Sequence, residues 1–169
     1  MKRPKKRPKP IKPEKGQESV WDYPRPPAIK FFKGSVEVIH SGETIVRTTR
    51  AIRILETSHP PVFYLPLIDV NSEFLKDSEH RSFCEWKGMA HYFHFVVKGE
   101  LIQNAAWYYP EPNERYAALK NHIAIYPSKV DECFVNGEKV QAQEGDFYGG
   151  WITNDIVGPF KGSPGSFGW

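Results

Sequence analysis

Four charged or titratable side chains interrupt otherwise apolar, strand-like sequence. Glu56 and His59 lie in the segment RILETSHPP (residues 53–61), and Glu85 and Lys87 in RSFCEWKG (residues 81–88). Charges are costly to bury unless they are paired. A cavity that pairs these four with one another and with a polar ligand removes that cost, so they are expected to share one site. Glu56 or His59 is suited to the role of general base, Lys87 or Arg53 to that of anion partner, and Trp86 or Trp151 to that of a stacking wall. Asn104, in QNAAWYYP (residues 103–110), can fix a ligand amide or carbonyl, and Ala105 and Ala106 permit close packing or leave pocket space. Asp155 and Lys161 lie in the glycine-bearing stretch 147–162, where backbone amides can approach a ligand and Lys161 can neutralise an anion. The candidate catalytic residues are thus Glu56, His59, Glu85 and Lys87. The candidate ligand-binding residues are Arg53, Trp86, Asn104, Trp151 and Asp155.

Each segment also has a plain structural reading. Thr57 and Ser58 can cap backbone groups while Arg53 pairs with Glu56 at the surface. Cys84 can be a buried thiol beside a core Trp86, with Glu85 and Lys87 as a cross-strand pair. It becomes a nucleophile only if a neighbour such as Lys87 or His59 lowers its pKa. Residues 103–110 can be a strand of core aromatics, and residues 147–162 a packed terminal arm.

Several chemistries lack their residues. Cys84 and Cys133 form no CxxC pair, so neither a disulfide framework nor a thiolate zinc site is expected. His91 and His94 are three apart and fall on opposite faces of a strand, His40, His80 and His122 are isolated, and no HExxH occurs, so no metal site and no cofactor are expected. Gly149-Gly150 matches neither the Walker nor the GxGxxG pattern. No apolar run approaches the ~18 residues of a membrane helix. The charged start, Met1 to Arg7, is followed by no apolar segment, which predicts no secretory signal, no membrane partner and a cytoplasmic location.

The elements that must position these residues read as strands. Three stretches place apolar residues on both sides of an x-Gly-Glu turn: Ser41-Gly42-Glu43, Lys98-Gly99-Glu100 and Asn136-Gly137-Glu138. Asn-Gly is a strong type I′ hairpin signal because both central residues must accept positive φ. Three hairpins imply at least six strands. Residues 51–56 and 62–65 read as further strands, and residues 81–97 as one long strand bent at Gly88. Residues 113–120 read as the one helix, with Asn113 able to cap it. Prolines keep residues 19–27 extended, and Trp21 and Tyr23 are expected to pin that segment to the core. The expected fold is mostly β (α+β at most): a single compact antiparallel domain of six or more strands with one short helix, either a β-barrel or a two-sheet sandwich, over residues 19–169.

The charge is unevenly divided. Residues 1–15 hold eight Lys or Arg and one Glu, whereas the remainder holds 15 basic and 19 acidic residues. Residues 1–18 are therefore expected to form a disordered, basic, Pro-rich tail with nothing apolar to bury. Nucleic acid contact is expected only through that tail, from Lys2, Arg3, Lys5, Lys6 and Arg7.

The segments quoted above, with VWDYPRPP (20–27), NAAW (104–107), Tyr126-Pro127, FYGGWIT (147–153) and DIVGPFKG (155–162), are similar to a known family. From Val20 to Trp169 the chain resembles the bacterial family catalogued as domain of unknown function 427. The resemblance implies a compact β-rich fold and a shared polar and aromatic pocket. A nucleotidyltransferase-like label attaches to that family. That chemistry needs paired carboxylates holding Mg²⁺ beside a phosphate-cradling loop, and no close acidic pair stands here in a glycine-rich setting. The expected function is a small-molecule domain, binding or enzymatic, for a polar or anionic ligand. The alternative is a noncatalytic interaction module whose tail contacts nucleic acid or an acidic partner.

Overall fold

The computed structural model describes residues 7–169. Its strands are β1 (Glu18–Ser19), β2 (Ala28–Phe31), β3 (Val36–His40), β4 (Glu43–Thr48), β5 (Ile52–Leu55), β6 (Val62–Pro66), β7 (Leu75–Cys84) and β8 (Gly88–Val97). They continue as β9 (Glu100–Tyr108), β10 (His122–Ile125), β11 (Glu132–Val135), β12 (Glu138–Lys139), β13 (Gln141–Ala142), β14 (Trp151–Ile152) and β15 (Ile156–Val157). Seven of them form an open sheet in the order β2-β5-β6-β10-β9-β8-β7, and four form a second sheet in the order β12-β11-β3-β4. Every pairing in both sheets is antiparallel. The domain is mostly β and takes the sandwich form of the expected fold, not the closed barrel.

Side-chain alternation builds the core between the sheets. Val36, Val38, Ile45 and Val46 of the smaller sheet meet Phe63, Leu65, Phe95, Val97, Ile123 and Ile125 of the larger one. The three x-Gly turns close hairpins β3–β4, β8–β9 and β11–β12, and both central residues of each have positive φ: Ser41 and Gly42, Lys98 and Gly99, Asn136 and Gly137.

Two segments differ from the sequence reading. Residues 81–97 are not one bent strand. Gly88, at φ +113°, ends a tight turn and starts β8, so β7 and β8 form a hairpin with residues 85–87 at its tip. The expected helix is a 3₁₀ stretch, Glu114–Leu119, with non-helical torsions at Tyr116. Asn113 does not cap it. Its side-chain amide donates to the Trp86 carbonyl and its backbone N–H to the Lys87 carbonyl, so Asn113 ties down the β7–β8 turn instead.

The leading segment packs against the C-terminal arm. β1 pairs in parallel with β15, and the Ile11 and Glu18 amides donate to the Gly158 and Asp155 carbonyls. Arg7 lies 5.0 Å over the Trp21 ring, while Lys2, Arg3, Lys5 and Lys6 lie outside the described residues. Glu18 accepts from Arg53 and from the Tyr23 hydroxyl, both at 2.6 Å. Burial alone would raise the Glu18 pKa, but those two hydrogen bonds outweigh it and hold the carboxyl below its usual range.

Two stability changes follow. Gly137→Val forces a β-branched residue into the left-handed region at φ +79°, with no compensating contact, and should destabilise by roughly 1 kcal/mol or more in urea melts. Glu18→Ala strands the buried Arg53 guanidinium. A loss of about 2 kcal/mol is expected, below the roughly 3–5 kcal/mol of a fully buried pair because Glu18 is partly exposed.

Candidate functional site

The second face of the seven-stranded sheet carries the site. The register aligns Tyr64, Ala124, Trp107 and Tyr92 in one row across β6, β10, β9 and β8. Ala124, fully buried, lies between the larger rings of Tyr64 and Trp107. Trp107 donates its indole N–H to the Tyr64 hydroxyl at 3.2 Å, and Tyr126 lies 4.4 Å from the Trp107 ring. Burial pushes the Tyr64, Tyr109 and Tyr126 phenols up, so all three are neutral donors at physiological pH. A bulge in β9 keeps this row intact. Between the pairs Phe95–Ile102 and Phe93–Ala106, β9 carries two extra residues, an even number that preserves which face each side chain occupies.

Loops wall this floor into a cavity of about 420 Å³. Glu56, His59, Glu85 and Lys87, which come from separate segments of the sequence, all line it, together with Trp86, Cys84 and Lys161. The 56–59 loop is held from behind. Thr57 Oγ donates to the Tyr23 carbonyl at 2.6 Å, and Arg25 donates to the Thr57 carbonyl at 3.0 Å. Two glycines let the C-terminal wall approach: a Cβ on Gly149 would sit 2.2 Å from the Trp107 ring, and one on Gly150 2.4 Å from the Gln143 side-chain oxygen.

Glu56 Oε2 lies 3.4 Å from Arg25 and 3.5 Å from His59 Nε2. Burial, and then Lys161, Arg25 and Lys87 together, push the His59 pKa down to about 4, so the ring is neutral at physiological pH. Burial also disfavours the Lys87 ammonium. Its surroundings of Tyr64, Cys84 and Glu56 outweigh that penalty and keep its pKa above the ordinary lysine value. Lys87 Nζ donates to Cys84 Sγ at 3.5 Å and lies 5.9 Å from the Tyr109 ring. Lys161 Nζ lies 6.0 Å from the Phe167 ring. Neither ammonium forms an ion pair with a carboxylate among the described residues. Glu85 is exposed at the mouth.

Four expected ligand-binding residues lie elsewhere. Arg53 is buried beside β1 and engaged by Glu18. Asn104 pins the β9 bulge: at φ +47° its amide donates to His94 Nδ1, and its side-chain oxygen accepts from Ser78 at 2.5 Å. Trp151 is fully buried between the sheets and donates its indole N–H to the Ile125 carbonyl. Asp155 is exposed and accepts from Thr153. Conversely, Tyr64, Tyr92 and Gln143 line the cavity without having been marked by sequence, and Tyr126, which also lines it, was quoted only within the family resemblance. The signal available for the tyrosines was their shared strand parity, once pairing is known. Gln143 had none.

The residues do not fit a carboxylate-held Mg²⁺. Glu56 is already engaged by Arg25 and His59, two ammoniums face the cavity, and no group of three His, Cys, Asp or Glu able to hold a metal occurs among the described residues.

The depressed His59 pKa makes stability depend on pH. Unfolding returns the ring to its ordinary value near 6.5, so the unfolded chain takes up the proton first as pH falls. This contribution is whole above about pH 6.5 and is lost toward pH 4, a change on the order of 3 kcal/mol. Urea melts at pH 7 and pH 4.5 should show His59→Asn losing about 2 kcal/mol less than the parent protein.

Comparison with known proteins adds one finding. The profile of the family described as Domain of unknown function (DUF427) matches residues 28–136, well over half of the chain. No curated protein matches. The matched region contains Glu56, His59, Glu85 and Lys87, while Gln143 and Lys161 follow it. The chain belongs to the DUF427 family of domains of unknown function.

Proposed function

We propose that the cavity on the open face of the large sheet is a small-molecule site for a compact polar ligand that carries an anionic group and a flat apolar body. One observation carries the reading: Lys87 and Lys161 bring two ammoniums to an aromatic-floored cavity without a carboxylate paired to either among the described residues. An ammonium held among aromatic rings has lost much of its hydration, and an anion restores what water supplied. The flat body rests on the row of Tyr64, Trp107 and Tyr92, where offset stacking favours a planar partner. If the ligand is turned over, Glu56 takes the proton, because burial and the surrounding cations make the His59 ring a weak proton acceptor. The setting for this activity is the cytoplasm.

The test is a thermal-shift screen of small anionic aromatic compounds, followed by calorimetric titration. A ligand present at about 100 times its Kd should stabilise the fold by about 2.7 kcal/mol. Lys87→Met, which keeps the stem volume and removes the charge, should weaken binding of such a ligand by tenfold or more while leaving the melting temperature nearly unchanged. Binding that ignores Lys87→Met, or hits confined to uncharged compounds, would overturn the anion site.

A further inference from the structure

Gln143 is buried beside the cavity, and its contacts fix which way its amide points. Its side-chain oxygen accepts the Gly150 N–H at 3.1 Å, and its nitrogen donates to the Lys161 carbonyl at 2.7 Å. Flipping the amide would set oxygen against carbonyl oxygen and NH₂ against N–H, losing both bonds. The second hydrogen on the same nitrogen is directed at His59 Nδ1, 3.3 Å away. A ring nitrogen that accepts a hydrogen bond cannot carry its own proton. His59 must then hold its proton on Nε2, the nitrogen that lies 3.5 Å from Glu56 Oε2.

We propose that Gln143 is a positioning residue: it locks His59 as the neutral Nε2–H tautomer and so leaves Glu56, not His59, as the proton acceptor that the cavity presents. The charged surroundings act in the same direction. Arg25 from the leading segment, Lys87 from the β7–β8 turn and Lys161 from the C-terminal arm all oppose a charge on the ring, with Glu56 opposing them from the ring's own loop. The Tyr148 ring packs against it at 5.4 Å. Protonating Nδ1 would also set its new hydrogen against the Gln143 NH₂ group. Glu56 Oε2 accepts from Arg25 at 3.4 Å and lies 3.5 Å from His59 Nε2. The consequence for a ligand rests on the cavity being a ligand site; the tautomer itself does not.

The experiment uses the full ¹⁵N-labelled chain without ligand. Long-range ¹H–¹⁵N correlation spectra of the histidine rings are recorded from pH 4.5 to 8, with His59 identified by its loss in His59→Asn. The expected result is a single Nε2–H tautomer that does not titrate above about pH 5. In Gln143→Met, which has no donor, His59 should populate both tautomers. In Gln143→Glu, whose carboxylate can accept from Nδ1–H, its titration midpoint should rise by more than one pH unit. A parent His59 found as the Nδ1–H tautomer, or titrating near 6.5, overturns the proposal, as does an unchanged tautomer in Gln143→Met. If either variant fails to fold, the spectrum of the parent chain still decides. Because the ring is read without ligand, failure of the ligand screen and failure of this lock remain distinct results.

Discussion

A sheet that is apolar on both faces must be covered on both, and the seven-stranded sheet is covered in two different ways. One face meets the four-stranded sheet across a dry core of Val, Ile, Leu and Phe. Among the described residues the other is covered by no second sheet. It carries Tyr64, Tyr92, Trp107 and Tyr109, and only loops, the 3₁₀ stretch with Tyr116 and Leu119, and the C-terminal arm lie over it. Regular layers pack at close to crystal density and leave no room for a ligand. Irregular cover does leave room, and here the cavity opens over Tyr64, Tyr92, Trp107 and Tyr109. The site therefore lies where the architecture runs out of sheet.

Irregular cover must be fixed by specific bonds, and the termini supply them. The leading segment reaches the 56–59 loop through Arg25 and Tyr23, and β1 ties that segment to β15. The C-terminal arm returns Lys161 and Gln143 to the same loop, with the Lys161 amide bonded to the Ser58 carbonyl at 2.9 Å. The leading segment thus braces the loop from behind, and the C-terminal arm forms part of the wall. The family profile stops at residue 136, so the two large sheets, apart from β12, and the Glu56, His59, Glu85 and Lys87 cluster belong to its matched region. Gln143 and Lys161, which tune that cluster, come from the arm beyond it.

The parts of this arrangement legible in sequence are those governed by local physics. Asn136-Gly137 announces its turn because few residue pairs accept two positive φ values, and Ser41-Gly42 and Lys98-Gly99 obey the same rule. Glu56, His59, Glu85 and Lys87 stood out because charge inside apolar strand sequence needs a reason. Other features required pairing information. Tyr64 and Tyr92 read as core because nothing local separates a core tyrosine from a pocket tyrosine; only the register shows which face they share. Arg53 and Trp151 carry the right chemistry but lie in neighbouring strand and arm positions whose parity sends them to other partners, Glu18 and the Ile125 carbonyl. Asn113 had the residue type of a helix cap, yet the β7–β8 turn takes its amide, and the segment after it never completes an α-helix. Asn104 had the type of a ligand contact, and a bulge takes it for the same reason: short polar side chains serve whichever backbone irregularity lies nearest.

The sign of the field in the cavity follows from which groups remain charged. The phenols are neutral and His59 is neutral, so the fixed charges are Lys87, Lys161, Glu56 and Glu85. Glu85 is exposed at the mouth, where water screens it, and Glu56 is partly neutralised by Arg25. The two ammoniums are less screened. A unit charge about 4 Å from one of them gains about 1 kcal/mol in bulk water but about 4 kcal/mol at the effective dielectric of a partly buried site. Two such contacts outweigh the stacking of one ring, worth about 0.5–1.5 kcal/mol beyond its area. On the proposed reading the aromatic floor favours a flat shape, and discrimination between an acid and its neutral isostere falls to Lys87 and Lys161. On that reading, a carboxylate paired to either lysine would forfeit that discrimination, and among the described residues neither ammonium forms such an ion pair.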